Sequence, residues 1–121
     1  MAKRILLVES DPGVLEVMNI MLRYIGCDVV ATDSGIKALN AFVGDPFSFD
    51  LVISDVQTQG LSGLELAGRI LEKRPEVPMA ILSGGDQLIE SEVHKQGIRC
   101  LIKRPIRIGQ LASIVSEVLL I

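Results

Sequence analysis

The chain has 121 residues, of which 49% are hydrophobic and 22% charged, and it carries a formal net charge of -3. This length fits a single domain over residues 1–121, because one hydrophobic core stops growing only at about 250–300 residues. The scarcity of aromatic residues argues against direct nucleic-acid binding, since single strands stack on exposed aromatic side chains; the aromatic set is Tyr24, Phe42, Phe47 and Phe49.

Apolar runs and helix-period segments alternate from the start of the chain. Arg4–Val8 predicts a buried strand, and Asp11 followed by Pro12 is typical of a helix N-cap with proline at the first helical position. Gly26 suits the end of this helix, and residues 28–31 predict a second strand. The helix carries apolar residues at helical spacing: Val14, Met18, Met21, Leu22 and Ile25.

The same alternation continues to the C-terminal end. The remaining strands are predicted over three apolar runs, residues 50–54, 78–82 and 99–103. Helices are predicted to begin at Ser34 and Asp86, and to end before Pro75 and at Gly97. The second, third and fourth helices are marked by the apolar residues Leu39, Phe42, Val43, Leu66, Ala67, Ile70, Leu71, Ile89 and Val93, of which Ile89 and Val93 are expected to face inward.

Five strands that alternate with five helices through short connections indicate an α/β fold, a parallel sheet with helices on both faces. Ligands of such sheets bind beyond the carboxyl ends of the strands, near the point where strand order reverses. Several chemistry-bearing residues follow predicted strands there: Glu9, Ser10, Asp11, Asp55, Ser83 and Arg104. Because clustered carboxylates repel one another unless a cation neutralises them, this edge is predicted to suit a divalent metal beside an oxyanion.

The two cysteines, Cys27 and Cys100, stand far apart, without a CxxC or a Cys/His cluster. Structural zinc sites need four such ligands, and disulfide scaffolds are denser in cysteine, so we expect two buried, reduced thiols. The apolar run after Lys3 and Arg4 is too short for a signal peptide, and no stretch approaches the ~20 residues of a membrane span. We therefore expect a soluble, cytoplasmic protein without a membrane partner.

Basic residues are concentrated near the C-terminal end. Between Val93 and Ser116 the chain has five basic side chains and no acidic one: Lys95, Arg99, Lys103, Arg104 and Arg107. Such a run is either the solvated face of ordinary elements or a basic docking surface. The sequence leaves both alternatives open.

Four segments, in order and with matching spacing, resemble the receiver domain of two-component response regulators: ILLVESDP, FDLVISDVQTQGLSGLEL, VPMAILSGG and GIRCLIKRP. Two of them are most similar to receivers attached to hybrid sensor histidine kinases. The resemblance covers the whole chain and implies a flavodoxin-like (βα)5 fold, a three-layer structure with a parallel five-stranded sheet of order 2-1-3-4-5. It also implies a phosphorelay role with a histidine kinase or phosphotransfer protein as partner, and no conventional enzyme activity.

The resemblance implies a role for each matching position. Asp55 would accept the phosphoryl group, and Ser83 would contact that group. Glu9, Asp55 and the backbone carbonyl of Gln57 would bind Mg²⁺. Arg104 stands where the family usually has a lysine before a cis-proline.

The sequence departs from the usual site of the resembling family at several positions. Ser10 replaces a carboxylate that normally binds the metal, so we expect Mg²⁺ to bind weakly. Arg104 keeps the positive charge of lysine but is longer and planar, so the exchange is not conservative. Leu101 replaces the aromatic residue that reports activation, and residues 58–59, Thr-Gln, replace Met-Pro. We therefore expect a weakened site with weaker coupling to the output face.

In the resembling family the fourth helix, fifth strand and fifth helix form the output and dimerisation face. Lys95, Arg99 and Arg107 are predicted to share that face, which would suit an acidic protein partner or a second copy. His94 lies beside the inward-facing Val93 and is expected to be exposed, without a catalytic role.

The residues bear on three alternatives to the phosphoacceptor function. A degenerate receiver could dock partners without being phosphorylated. A flavodoxin needs a hydroxyl- and glycine-rich phosphate loop after the first strand, where this chain has the acidic residues of ESDPG. A haloacid-type hydrolase needs a second aspartate two residues after the nucleophile, where this chain has Gln57.

Overall fold

The structure, a computed structural model, describes residues 2–84 and 90–119, in which five strands and five helices alternate. The strands are β1 (Arg4–Val8), β2 (Asp28–Thr32), β3 (Leu51–Asp55), β4 (Met79–Ser83) and β5 (Cys100–Lys103). The helices are α1 (Pro12–Tyr24), α2 (Gly35–Gly44), α3 (Gly63–Lys73), α4 (Glu90–Lys95) and α5 (Ile108–Leu119).

All the strand pairs are parallel, and the sheet order is β2-β1-β3-β4-β5. The predicted flavodoxin-like fold and strand order are therefore confirmed. The order reverses between β1 and β3, which places the expected binding crevice beyond the carboxyl ends of these two strands.

The sheet separates two hydrophobic cores. Ile5 and Leu7 of β1 belong to the core shared with α1 and α5, while Leu6 and Val8 belong to the core shared with α2, α3 and α4. All four side chains are fully buried, as expected for a central parallel strand covered on both faces. Each such burial contributes about 1.5–3 kcal/mol, so the strand ends that carry the candidate site rest on a rigid base.

Several predicted strand ends move by one residue in the structure. β3 ends at Asp55 and β4 at Ser83, because Asp55 still pairs with Leu82 and Ser83 with Lys103. Both candidate residues are therefore the last residues of strands rather than the first residues of loops. This attachment to the sheet restricts their backbones.

The predicted helix boundaries have clear local causes. Asp11 Oδ1 accepts hydrogen bonds from the backbone N–H groups of Gly13 (2.9 Å) and Val14 (3.2 Å), which confirms Asp11 as the N-cap of α1. Gly26 and Gly97 follow α1 and α4 with φ of 97° each, a conformation in which side-chain-bearing residues are strained.

Ser34 accepts from the backbone N–H of Lys37 at 3.1 Å and caps α2 as predicted. Val43, an apolar residue of the same helix, is 47% exposed, because Phe42 of the same turn faces the core and the next residue lies about 100° further around the helix. Asp86 and Ile89, predicted for the fourth helix, lie outside the described residues.

Cys27 and Cys100 are free thiols. Cys27 is buried as expected, but Cys100 is only half-buried, so the prediction of two fully buried thiols is wrong for Cys100. Burial raises the pKa of both thiols above the ordinary value, because it disfavours the charged thiolate. Among the described residues, no helix has the length and apolar character needed to cross a bilayer.

Candidate functional site

A cavity of about 360 Å³ opens at the carboxyl end of the sheet. Strand register explains why acidic residues meet there. Val8 of β1 pairs with Ser54 of β3, so Glu9 and Asp55, the next residues along two parallel strands, lie side by side. The residues that matter for chemistry in its lining are Glu9, Ser10, Asp55, Gln57, Gly84 and Arg104.

Glu9 is almost completely buried, with 1% of its surface exposed. One carboxylate oxygen, Oε1, accepts a hydrogen bond from Nη2 of Arg104 and forms an ion pair with it. The other oxygen, Oε2, accepts from the backbone N–H of Asp11 at 3.2 Å. A buried carboxylate needs such partners, because leaving it unpaired away from water costs several kcal/mol.

Asp55 reaches the cavity from the end of β3, with 15% of its side chain exposed. Its Oδ1 lies 3.6 Å from Arg104 Nη2. Burial, followed by the charge and hydrogen bonding of Glu9, raises the pKa of Asp55; the Arg104 charge and a hydrogen bond from the Gln57 backbone oppose this rise without cancelling it. Two neighbouring carboxylates with one cation between them resist full ionisation.

Arg104 reaches both carboxylates from the loop after β5. Asp55 lies two strands away, about 9–10 Å at ordinary strand spacing, so the side chain must cross the end of β4. Partial burial alone would lower the pKa of Arg104, but the hydrogen bond and charge of Glu9, together with Asp55, raise it above the ordinary value. Arg104 is therefore always a cation, and its peptide bond to Pro105 is cis.

Gly84 explains how the Arg104 side chain can cross the end of β4. A Cβ added at Gly84 would lie 3.0 Å from Arg104 Cδ and 3.3 Å from its Nε. The backbone N–H of Arg104 also donates to the carbonyl of Ser83 at 3.0 Å. The sequence pattern did not reveal this contact between Gly84 and Arg104.

Ser10 contacts the position predicted to bind metal. Its hydroxyl donates a hydrogen bond to the backbone carbonyl of Gln57 at 3.2 Å. Two carboxylates and a carbonyl are oxygen donors of the kind that Mg²⁺ prefers, so Glu9, Asp55 and Gln57 fit this ion in chemical kind. In this arrangement, however, both Glu9 oxygens and the Gln57 carbonyl already accept hydrogen bonds.

Other predicted positions lie outside the ion cluster, which consists of Glu9, Asp55 and Arg104. Ser83 is buried and is not among the described residues that line the cavity. Leu101 is half-buried and packs against the core shared with α2, α3 and α4. His94 is exposed as predicted. Asp11 serves as the helix cap described above.

The loop after β3 is attached to the start of α2, which the sequence pattern did not predict. The backbone N–H of Gly35 donates to the carbonyl of Gln59 at 3.0 Å, next to an isolated bridge between Ser34 and Gln59. The Thr58 hydroxyl donates to the carbonyl of Leu61. These contacts hold the backbone that carries Gln57 against the edge of the site.

Residues 5–116 match the family model of the response regulator receiver domain. The chain belongs to this family. Receiver domains generally bind Mg²⁺ at an acidic site and are generally not conventional enzymes.

Relatives of this receiver domain include response regulators and sensor kinases. It is 28% identical over 120 residues to ethylene receptor 2 of Oryza sativa subsp. japonica, covering 96% of this chain and 16% of that protein. It is 32% identical over 122 residues to the sensor histidine kinase GacS of Pseudomonas protegens, covering 96% of this chain and 13% of that protein. The chain thus spans under a fifth of the length of these two relatives.

Solved structures agree with the fold. A receiver domain protein from Clostridium thermocellum superposes with a TM-score of 0.92 at 23% identity, over 97% of this chain and 94% of that one. A CheY-like receiver domain protein from Methanospirillum hungatei has a TM-score of 0.88 at 25% identity, over 98% of this chain and 94% of that one.

Proposed function

We propose that this receiver domain accepts a phosphoryl group onto Asp55 from a histidine kinase or phosphotransfer protein, and then switches a protein-interaction face. Residues 1–121 would act as one receiver domain. The proposal rests on the position of Asp55. This residue ends the central strand β3 and is partly exposed in the cavity, and a guanidinium nitrogen of Arg104 lies 3.6 Å from its Oδ1.

In the proposed reaction, an oxygen of Asp55 attacks the phosphorus of a phosphohistidine. A P–O bond forms and the P–N bond breaks, and its electron pair stays on the departing imidazole nitrogen. Negative charge lies on the peripheral phosphoryl oxygens throughout. Arg104 can donate to these oxygens through more than one N–H, and the Ser83 hydroxyl is proposed to contact the bound group.

Mg²⁺ would be held by Glu9, Asp55 and the carbonyl of Gln57, and when bound it would neutralise charge on the phosphoryl group. We infer that this binding is weak. Arg104 is hydrogen-bonded to Glu9 and the Ser10 hydroxyl to the Gln57 carbonyl, so a metal would compete with both contacts. Ser10 itself supplies no anionic ligand.

We also infer a cytoplasmic receiver whose output face binds an acidic protein surface or a second copy. Four basic residues on or beside α4, β5 and α5 are exposed: Lys95, Arg99, Lys103 and Arg107. None of these four forms an ion pair with another described residue. Unpaired surface charges of one sign favour association with an oppositely charged partner.

A second candidate function is docking that does not require phosphorylation. It is favoured by the ion cluster, because Arg104 already neutralises the carboxylates that a phosphoryl group and a metal would use. Leu101, at the position of the family's switch aromatic, has no polar or aromatic group with which to report a change at Ser83.

Intact-mass measurement after incubation with acetyl phosphate and Mg²⁺ separates the two candidates. The wild-type chain should gain the mass of one phosphoryl group, and Asp55→Asn should gain none. Asp33→Asn is a matched control, since Asp33 is an exposed aspartate paired with Lys37, and it should react like wild type. Equal adduct in Asp55→Asn overturns the assignment, and no adduct in folded wild-type protein favours docking.

A further inference from the structure

Arg104 occupies the place between the two site carboxylates. Its Nη2 forms an ion pair with Glu9 and lies 3.6 Å from Asp55 Oδ1. The Glu9 side chain is 2% exposed and the Arg104 side chain 26% exposed, so water screens this pair much less than it screens a surface pair. One guanidinium therefore supplies the positive charge that keeps two adjacent carboxylates together.

A divalent cation bound at this site would contact the same oxygen atoms. Glu9 Oε1 already accepts from Arg104, and the Gln57 carbonyl already accepts from the Ser10 hydroxyl. A metal and a guanidinium cannot both contact Glu9 Oε1 closely, because both are cations and repel one another at short distance. Binding of one must weaken binding of the other.

We propose that Arg104 is an internal counter-cation that competes with divalent metal for Glu9. The weak Mg²⁺ binding proposed above would then have two causes, the missing carboxylate at Ser10 and the presence of Arg104. This inference concerns the unphosphorylated domain and goes beyond the proposed function, so it stands or falls separately from phosphorylation of Asp55.

Gly84 is the positioning residue for Arg104 in this proposal. The side chain of Arg104 passes over Gly84, where a Cβ would be only 3.0 Å from Arg104 Cδ. A methyl group there would require the Arg104 side chain to shift by a few tenths of an ångström. Gly84→Ala should therefore weaken the ion pair while it leaves every charge in the site unchanged.

Mg²⁺ titrations at constant ionic strength test the competition, with thermal unfolding and amide chemical shifts as readouts. Arg104→Gln removes the cation and should bind Mg²⁺ at least tenfold more tightly than wild type, although its Tm without metal is lower. Arg99→Gln is the matched control, because it removes the same charge from an exposed position outside the cavity. It should keep the wild-type Mg²⁺ affinity.

Arg104 itself provides a direct signal. Its ¹⁵Nε–H resonance, assigned by its absence in Arg104→Gln, should shift during the Mg²⁺ titration of wild type as the guanidinium leaves Glu9. Gly84→Ala should raise Mg²⁺ affinity in the same direction as Arg104→Gln, by a smaller factor.

Equal Mg²⁺ affinities of wild type and Arg104→Gln would overturn the proposal. If Arg104→Gln is unfolded without metal, recovery of its fold on addition of Mg²⁺ supports the proposal. If Arg104→Gln stays unfolded at every Mg²⁺ concentration, Arg104→Lys tests the proposal instead. The shorter lysine should release Glu9 in part and so raise the Mg²⁺ affinity. A wild-type Mg²⁺ affinity in Arg104→Lys would also overturn the proposal.

Discussion

The hydroxyl of Ser10 donates a hydrogen bond to the backbone carbonyl of Gln57 at 3.2 Å. This contact joins the residue after Glu9 to the loop after β3, across the mouth of the cavity. A neutral hydroxyl can make this bond because it is a donor, whereas a carboxylate at the same place would be acceptor-only. The bond therefore stabilises the metal-free arrangement of the site.

Replacing Ser10 by aspartate should make stability strongly dependent on Mg²⁺. A third carboxylate beside Glu9 and Asp55 increases like-charge repulsion, so the metal-free variant should unfold at a lower temperature than wild type. Metal binding to the folded state recovers this loss, and a tenfold gain in affinity corresponds to about 1.4 kcal/mol. The measurement is thermal unfolding of both proteins over a Mg²⁺ titration.

Ser10→Ala is the matched control for that experiment. It removes the hydrogen bond to Gln57, worth about 0.5–1.5 kcal/mol, and adds no ligand. Its Tm without metal should fall slightly, and the dependence of its Tm on Mg²⁺ should stay weak, far below that of Ser10→Asp. A Mg²⁺ response in Ser10→Asp no larger than in Ser10→Ala would show that position 10 no longer lies where a metal ligand can act.

Charge reversal should identify the output face. Arg99→Glu combined with Arg107→Glu removes positive charge from the exposed basic surface, so binding of an acidic partner should weaken and lose much of its salt dependence. The control applies the same charge change to α3 through Arg69→Glu and Lys73→Glu, two exposed positions. If both pairs weaken binding equally, net charge rather than this face is responsible.

The sequence predicted the parts of this molecule that depend on local pattern. Hydrophobic periodicity and capping residues placed the ten elements, and Asp11 and Ser34 cap helices as expected. Contacts between residues far apart in the sequence could not be predicted from local pattern. The pairing of Arg104 with Glu9 depends on side-chain length, on strand order and on the missing side chain at Gly84, and no local spacing encodes that combination.

The start of α3 gives a prediction about pH. Ser62 and Glu65 form a capping box, in which Ser62 Oγ accepts from the Glu65 backbone N–H and Glu65 Oε1 accepts from the Ser62 backbone N–H, both at 3.1 Å. The hydrogen bonds with Ser62 lower the pKa of Glu65. The folded state thus favours the ionised form, which stabilises the fold above the unfolded-state pKa of about 4.3.

That stabilisation is lost as pH falls through the lowered pKa of Glu65 in the folded protein. Glu65→Gln should therefore lower Tm at neutral pH by a small amount, and the difference from wild type should disappear in acid. Thermal unfolding of both proteins from neutral pH down to about pH 3 checks this; a Tm difference that stays constant with pH would mean that the carboxylate charge does not contribute.

Gly63 gives the sharpest prediction about the backbone that supports Asp55. A Cβ added at Gly63 would lie 2.2 Å from the carbonyl oxygen of Asp55 and 2.9 Å from the Cα of Val56, and the Gly63 N–H also donates to the carbonyl of Val56 at 2.8 Å. Both clashing atoms belong to the backbone, so no side-chain rotation can relieve the contact. Gly63→Ala must separate the start of α3 from the end of β3, at a cost of about 1–3 kcal/mol typical of overpacking.

Gly44→Ala is the control, because a Cβ there meets nothing within 4 Å. Chemical denaturation should show a large loss for Gly63→Ala and little change for Gly44→Ala, and amide shifts of Asp55 should move in the first variant alone. Equal stability of the two variants would mean that α3 can move away from β3 without cost, and the close contact at Gly63 would then not fix the position of Asp55.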